Sequence, residues 1–324
     1  MSTQQVPKYP AEFILDFRSV DRFLYRVADL ELTGQLSEEL QNRVNGCHVY
    51  IVGKRPRISI VPESITVTSS AVSLQVEYKL DASKHQASFD IPRRLFQPEE
   101  CTFDCSPYPH RELISRNASG EVIASTLLAN FGHLMPAVHQ KAKDLEVLYI
   151  GKGLHESAQD RLENHATLQK ILADINSNQP DNEIFVLVYA FDFRKNAIAF
   201  VSGFSPEITG DVAKRRREKV MDYRPSLDDQ ISLIEASCIS YFQPTEYNRH
   251  YLGFPNTEPK MLSAVCDADF AAITVQLDNT NIGNLRTYSS KVKPESTHYI
   301  VVDFRRLEGK MSVFDAYNEA KTTP

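Results

Sequence analysis

The stretch Leu148-Tyr149-Ile150-Gly151-Lys152-Gly153 sets a phenol and an ammonium at the end of an apolar run, beside two glycines. Arg161 and His165 follow. Residues at i and i+4 share a helix face, so a guanidinium and an imidazole project side by side there. Further on, Leu233-Ile234-Glu235-Ala236 opens another helical stretch, and Gln243-Pro244-Thr245-Glu246-Tyr247-Asn248 closes it. Tyr149, Lys152, Arg161, His165, Glu235 and Asn248 together read as one constellation. Such groups suit proton transfer and the neutralisation of negative charge. A neutral imidazole can take a proton from water near neutral pH, and a guanidinium fork matches phosphate oxygens. The same residues have plainer uses. Arg161 and Glu235 can form an ion pair between helices, Tyr149 can pack, and Asn248 can stop a helix. Gly151 and Gly153 can allow a strand-to-helix turn, since glycine tolerates positive φ.

Taken in order, these residues resemble the GIY-YIG nuclease superfamily. Its YIG motif stands as Tyr149-Ile150-Gly151, and its Arg-x-x-x-His/Tyr helix as Arg161 and His165. Its metal-binding glutamate falls on Glu235, and its Pro-x-x-Asn-like ending on Pro244 and Asn248, with one extra residue. The resemblance spans residues 145–248, about a third of the chain. It implies a metal-dependent endonuclease that hydrolyses phosphodiester bonds in DNA, in defence or mobile-element biology. It further implies that Glu235 holds Mg²⁺ or Mn²⁺ and that Arg161 stabilises developing negative charge. Tyr149 and His165 would orient or deprotonate the water, and Lys152 would lower the pKa of a neighbouring phenol or contact phosphate. Asn248 would fix the ion or the scaffold. The family's first motif, GIY, normally lies on a neighbouring strand shortly before YIG. Here that window, 136–140, holds no tyrosine, and the nearest upstream one is Tyr108. A neighbouring strand from upstream is expected to bring His133, His139 or Tyr108 near the Tyr149 hydroxyl. The alternative is a catalytically impaired relative that binds nucleic acid or protein. A more distant one is an assembly protein whose β segments mediate contacts, as a homo-oligomer or with a protein partner.

The strongest basic run, Lys214-Arg215-Arg216-Arg217-Glu218-Lys219, lies between the two halves of the constellation. On a helix it would be either a solvated surface or a phosphate-backbone contact made by Lys214, Arg215, Arg216, Arg217 and Lys219. The net charge of −6 counts against a large non-specific DNA footprint, but binding follows the local field rather than the total. No apolar run is long enough to span a bilayer. The first ten residues lack the apolar core of a signal peptide, so a cytoplasmic protein is expected. The five cysteines are scattered and odd in number, which reads as free thiols in a reducing compartment. Cys101 and Cys105 with His110 match no common zinc spacing.

The elements around the constellation read as an α+β chain. Residues 12–46 look helical, because Phe17, Val20, Leu24 and Val27 recur at spacings of three and four. A second helix starts after Ser37 and stops at Asn45-Gly46. From 47 to 91, β-branched and alternating runs predict a small antiparallel unit. Residues 92–120 are Pro-rich and read as a linker, and 122–128 as strand or helix. The nuclease-like unit has a strand at 145–150, a helix at 156–176, a buried strand at 184–193, and helices at 211–220 and 227–241. From 261 onward the pattern is again β, with a turn at 279–284 and a terminal helix at 312–320. The implied domains are 1–110, a helix plus antiparallel β unit; 121–255, a GIY-YIG-like core of a small sheet flanked by helices; and 256–324, a β extension.

Overall fold

The stretch around Phe17 and Leu24 also carries Phe13, Ile14, Val20, Phe23 and Tyr25, aromatic and β-branched side chains that suit a pleated surface. The computed structural model describes residues 11–27, 29, 36–96, 101–153, 166–199, 210–256 and 259–304. In it residues 11–26 form a strand, not a helix. Spacings of three and four in so apolar a run fit either period. Pairing on both sides decides for the strand.

In chain order the elements are β1 (Ala11–Arg26), α1 (Glu38–Asn45), β2 (Val49–Pro56), β3 (Ser59–Ile60), β4 (Thr66–Val67), β5 (Ala71–Leu80), β6 (Ser83–Pro92), β7 (Thr102–Cys105), β8 (Glu112–Arg116) and β9 (Val122–Leu127). There follow β10 (Leu145–Lys152), α2 (Ala166–Asn178), β11 (Asn182–Ala199), α3 (Gly210–Asp222), α4 (Leu227–Phe242), α5 (Pro259–Asp267), β12 (Ala272–Asp278), β13 (Thr287–Tyr288) and β14 (Thr297–Asp303). The chain is therefore mixed α and β. Ser37 caps α1 as expected, its hydroxyl accepting from the Leu40 amide at 3.4 Å. Helix α5 stands where β structure was expected, and the terminal helix expected at 312–320 lies outside the described residues.

The main sheet has seven strands in the order β13-β10-β2-β11-β1-β12-β14. Strand β1 pairs antiparallel with β11 and parallel with β12. Strand β2 lies antiparallel between β10 and β11. Strands from all three expected segments thus share one sheet.

Alternate residues of the central strands enter two different cores, as the two-residue period of a strand requires. Val49, Ile51, Val147, Phe185 and Leu187 pack with Leu233, Ile234, Ile239 and Phe242 of α4. Tyr50, Val52, Leu148, Val186 and Val188 pack with Leu168, Ile171 and Ile175 of α2. Each such side chain, fully buried, contributes about 1.5–3 kcal/mol. A third core runs from Ile58 to Ala142 and lies wholly between β2 and β10. It is built on β3, β5 and β6, and Leu113 of β8 joins it. The Pro-rich segment read as a linker therefore holds β7 and β8, which pair with β9 in a three-stranded sheet. No helix among the described residues is long and apolar enough to cross a membrane.

Candidate functional site

The site starts from how β2 meets β10. Ile150 lies opposite Ile51, Gly151 opposite Tyr50 and Lys152 opposite Val49, with a bulge between Val147 and Tyr149. Tyr50 is wholly buried, and its ring centre is 6.1 Å from that of Tyr149. A Cβ on Gly151 would stand 2.5 Å from Cζ and from Oη of Tyr50, and 2.9 Å from Cε1 of Tyr149. Real side chains do not approach so closely. Glycine is required there because two aromatic rings crowd the backbone. Its φ is not in the left-handed region, so the turn suggested by the sequence is not the reason. Gly151→Ala is expected to cost about 1–3 kcal/mol, the range for forcing a group into a packed core. Urea unfolding measures it, and a variant as stable as the parent would show that both rings can move aside.

Helix α4 brings in the carboxylate. Ser226 and Asp229 form a reciprocal capping box at its start, and Gln243 ends it in the left-handed conformation at φ 48°. Glu235 is buried in the middle of the helix. After the turn that follows, the Asn248 side chain comes back to β10. Its Nδ2 donates to the Ile150 carbonyl at 2.9 Å, and its Oδ1 accepts from the Ile150 amide at 2.9 Å. Strand β13 pairs only with Leu145 and Glu146 of β10. Further along, the Asn248 amide bonds Ile150 as a neighbouring strand would.

Tyr149, Glu235 and Asn248 line one cleft of about 460 Å³. Lys170 of α2 and Arg249 and His250 after α4 line it too, and all three are exposed. Tyr247 also lines the cleft and donates to Asp174 at 3.2 Å. Burial first, then the charges of Glu246 and Asp174, push its pKa up. It stays a proton donor and is no base. Lys152 does not line the cleft. Its Nζ lies 2.5 Å from the Ser232 hydroxyl and 3.5 Å from Asp228, tying the end of β10 to the first turns of α4.

The other expected residues fall elsewhere. Arg161 and His165 lie outside the described residues. The basic run is on α3, where Lys214, Arg215, Arg217 and Lys219 are exposed. Arg216 is buried instead, bonded to Glu12 at 2.6 Å, to Asp269 at 2.5 Å and to the Ala11 carbonyl. It packs over Phe13 and is unavailable for a phosphate backbone, because folding has already given it two carboxylates. The strand beside Tyr149 does come from upstream, but none of the three expected groups is on it. His139 bonds Tyr78, Tyr108 is exposed, and His133 lines a different cavity. Tyr50 stands there instead. Sequence reading passed over Tyr50, Lys170, Arg249 and His250. The one signal available was Val49-Tyr50-Ile51, an apolar strand with a tyrosine in it. Cys105 lies 3.6 Å from His110, and the Cys101 sulfur accepts from Arg93 at 3.1 Å. Among the described residues there is no cluster of three or more His, Cys, Asp or Glu side chains that could hold a metal. No family model matches the chain, and no curated protein or solved structure matches it either.

Proposed function

We propose that the chain is a metal-dependent endonuclease of GIY-YIG type that hydrolyses phosphodiester bonds in DNA. One observation carries this reading. Tyr149, Glu235 and Asn248, far apart in sequence, line one cleft, and a second tyrosine, Tyr50, stands on the strand paired with that of Tyr149. The binding-module alternative drew on the missing tyrosine of window 136–140. None of His133, His139 and Tyr108 lines the cleft, and Tyr50 is wholly buried, so that alternative keeps its support. The order β10-β2-β11, with α2 and α4 on opposite faces, is consistent with a GIY-YIG-like core.

Glu235 and Glu246 put two carboxylates on the wall of a cleft with room for water, and Glu235 is the one the resemblance assigns to the metal. That donor set suits Mg²⁺ or Mn²⁺, since magnesium takes one or two carboxylates and keeps several waters. Such an ion would supply Lewis-acid polarisation of the phosphoryl oxygens. Tyr149 holds and orients the attacking water through its phenol; by the resemblance, His165 would serve as the base and Arg161 would meet the developing charge, both lying outside the described residues. Tyr50 backs the Tyr149 ring and keeps it in place. Both polar atoms of Asn248 are spent on Ile150, so it acts by holding the strand end that carries Tyr149. Lys152 positions β10 against α4 through Ser232. Lys170 and Arg249 contact the flanking phosphates at the rim, and the exposed Lys214, Arg215, Arg217 and Lys219 meet the duplex backbone further out.

The test is cleavage of supercoiled plasmid by the full chain with Mg²⁺, with Mn²⁺ and with chelator. Tyr149→Phe is expected to lower the rate about a hundredfold, the usual contribution of a group that handles a proton. No metal-dependent nicking by the parent chain, or a Tyr149→Phe rate equal to the parent's, would sink the reading.

A further inference from the structure

A second cavity, of about 750 Å³, opens between the end of β1, the end of β2, the 3₁₀ turns at Leu128–Leu134 and Ala137–Ala142, and the turn before β13. Its lining includes Arg22, Arg55, His133 and Lys143, and no aspartate or glutamate. Arg22 is accounted for, since it pairs with Asp278 at 3.5 Å and donates to the Asp278 carbonyl at 2.5 Å. Arg55 is not. It is 4% exposed, and its Nε and Nη2 make no hydrogen bond. No carboxylate pairs with it among the described residues. Its cross-strand neighbour Glu183 is engaged by Arg111 instead. The guanidinium lies 4.0 Å over the Phe185 ring. Burial without a counter-charge brings its pKa down to about 10. Lys143, whose Nζ donates to the Met135 carbonyl at 3.1 Å, is also pushed down by burial, with Asp144 opposing the shift and Arg286 adding to it.

An uncompensated buried cation costs several kcal/mol, and a folded chain carries one where something else neutralises it. A planar guanidinium over an aromatic floor, with an ammonium across the cavity, fits a phosphate better than a carboxylate. Its fork bonds two phosphate oxygens at once, and two cations match a doubly charged group. Asn130, Asn281 and Asn284 add amide donors and acceptors, and Leu24, Ile282 and Leu285 add apolar wall. The volume falls within the range of small-molecule sites. We propose that this cavity binds a nucleoside phosphate, with the phosphate between Arg55 and Lys143 and the base against the amide and apolar wall. The site is separate from the Tyr149–Glu235 cleft, and no residue lines both.

The experiment titrates the full chain with AMP, GMP, CMP, UMP and inorganic phosphate, read by thermal shift and by calorimetry. At least one nucleotide is expected to raise the melting temperature more than phosphate does at equal concentration. Arg55→Met is expected to weaken that binding at least about tenfold, the loss of a charge-assisted hydrogen bond. Its ligand-free melting temperature should not fall, because an unpaired charge has been replaced by an apolar chain. If Arg55→Met does not fold, Lys143→Gln decides by the same tenfold criterion. Glu235→Gln should bind the nucleotide as the parent does, which separates this cavity from the cleft. No response to any nucleotide, a response no larger than that to phosphate, or undiminished binding by the folded variants would overturn the proposal.

Discussion

Glu235→Gln is expected to abolish metal-dependent plasmid cleavage, by about a thousandfold or more, while leaving the fold in place. A thousandfold corresponds to about 4 kcal/mol of barrier, in the range reached when one preorganised electrostatic group is removed. Gln keeps the shape of Glu and discards the charge that would hold the ion. The side chain is buried on α4 at the wall of the cleft. Thermal melting should stay close to the parent's, because Gln fills the same volume, while cleavage disappears. Full activity in the variant would mean that the nuclease assignment is wrong or that the activity belongs to a contaminant. Parallel loss of melting temperature and activity would place Glu235 in the scaffold instead.

The largest stability effect is expected at Asn248. Asn248→Ala leaves both the amide and the carbonyl of Ile150 without their partner in a buried place. Each orphaned group costs about 1–3 kcal/mol, so the sum is roughly 2–6 kcal/mol, a large part of the 5–15 kcal/mol that holds an ordinary domain. Urea unfolding measures it, and a loss under about 1 kcal/mol would show that water replaces the amide. Asn248→Asp adds a pH signature. Only the protonated acid can donate to the Ile150 carbonyl, so its folded pKa must lie above the unfolded value. The stability it restores is present below the unfolded pKa and is lost as pH rises through the folded one. The aspartate variant should accordingly be closer to the parent in mild acid than at alkaline pH.

The parts of the site legible in the sequence are those that local pattern fixes. The apolar run into Tyr149-Ile150-Gly151 reads as a strand because nothing in it favours another state. The caps of α1 and the apolar stretch of α4 read as helices for equally local reasons. What was illegible depends on partners far away in the chain. Strand β1 reads as a helix from its spacing, which fits both periods, and β11 and β12, which decide, come much later. Tyr50 cannot be read as the neighbour of Tyr149 from local sequence, because the strand that carries it lies on the other side of a whole core. Arg216 looked like its neighbours in a basic run, and only Glu12 and Asp269 set it apart. That Asn248 would serve as a strand substitute could not be read at all, since it depends on how short β13 is.

The core between β2 and β10 also bears on how the two tyrosines find each other as the chain folds. Strands joined by a tight turn meet within microseconds. These two must wait for a long loop to close. The entropy of closure grows only with the logarithm of loop length, about 0.6 kcal/mol for each doubling. The inserted residues carry apolar side chains enough to collapse on their own, from Ile58 to Ala142. Once they do, the free loop shrinks to the few residues at the ends of that core, Arg57 on one side and Lys143 and Asp144 on the other. The insertion then works as a clasp, holding the start of β10 beside the end of β2. The β5–β6 pairing is local and needs only a short loop, whereas β2 can pair with β10 only once the long loop has closed.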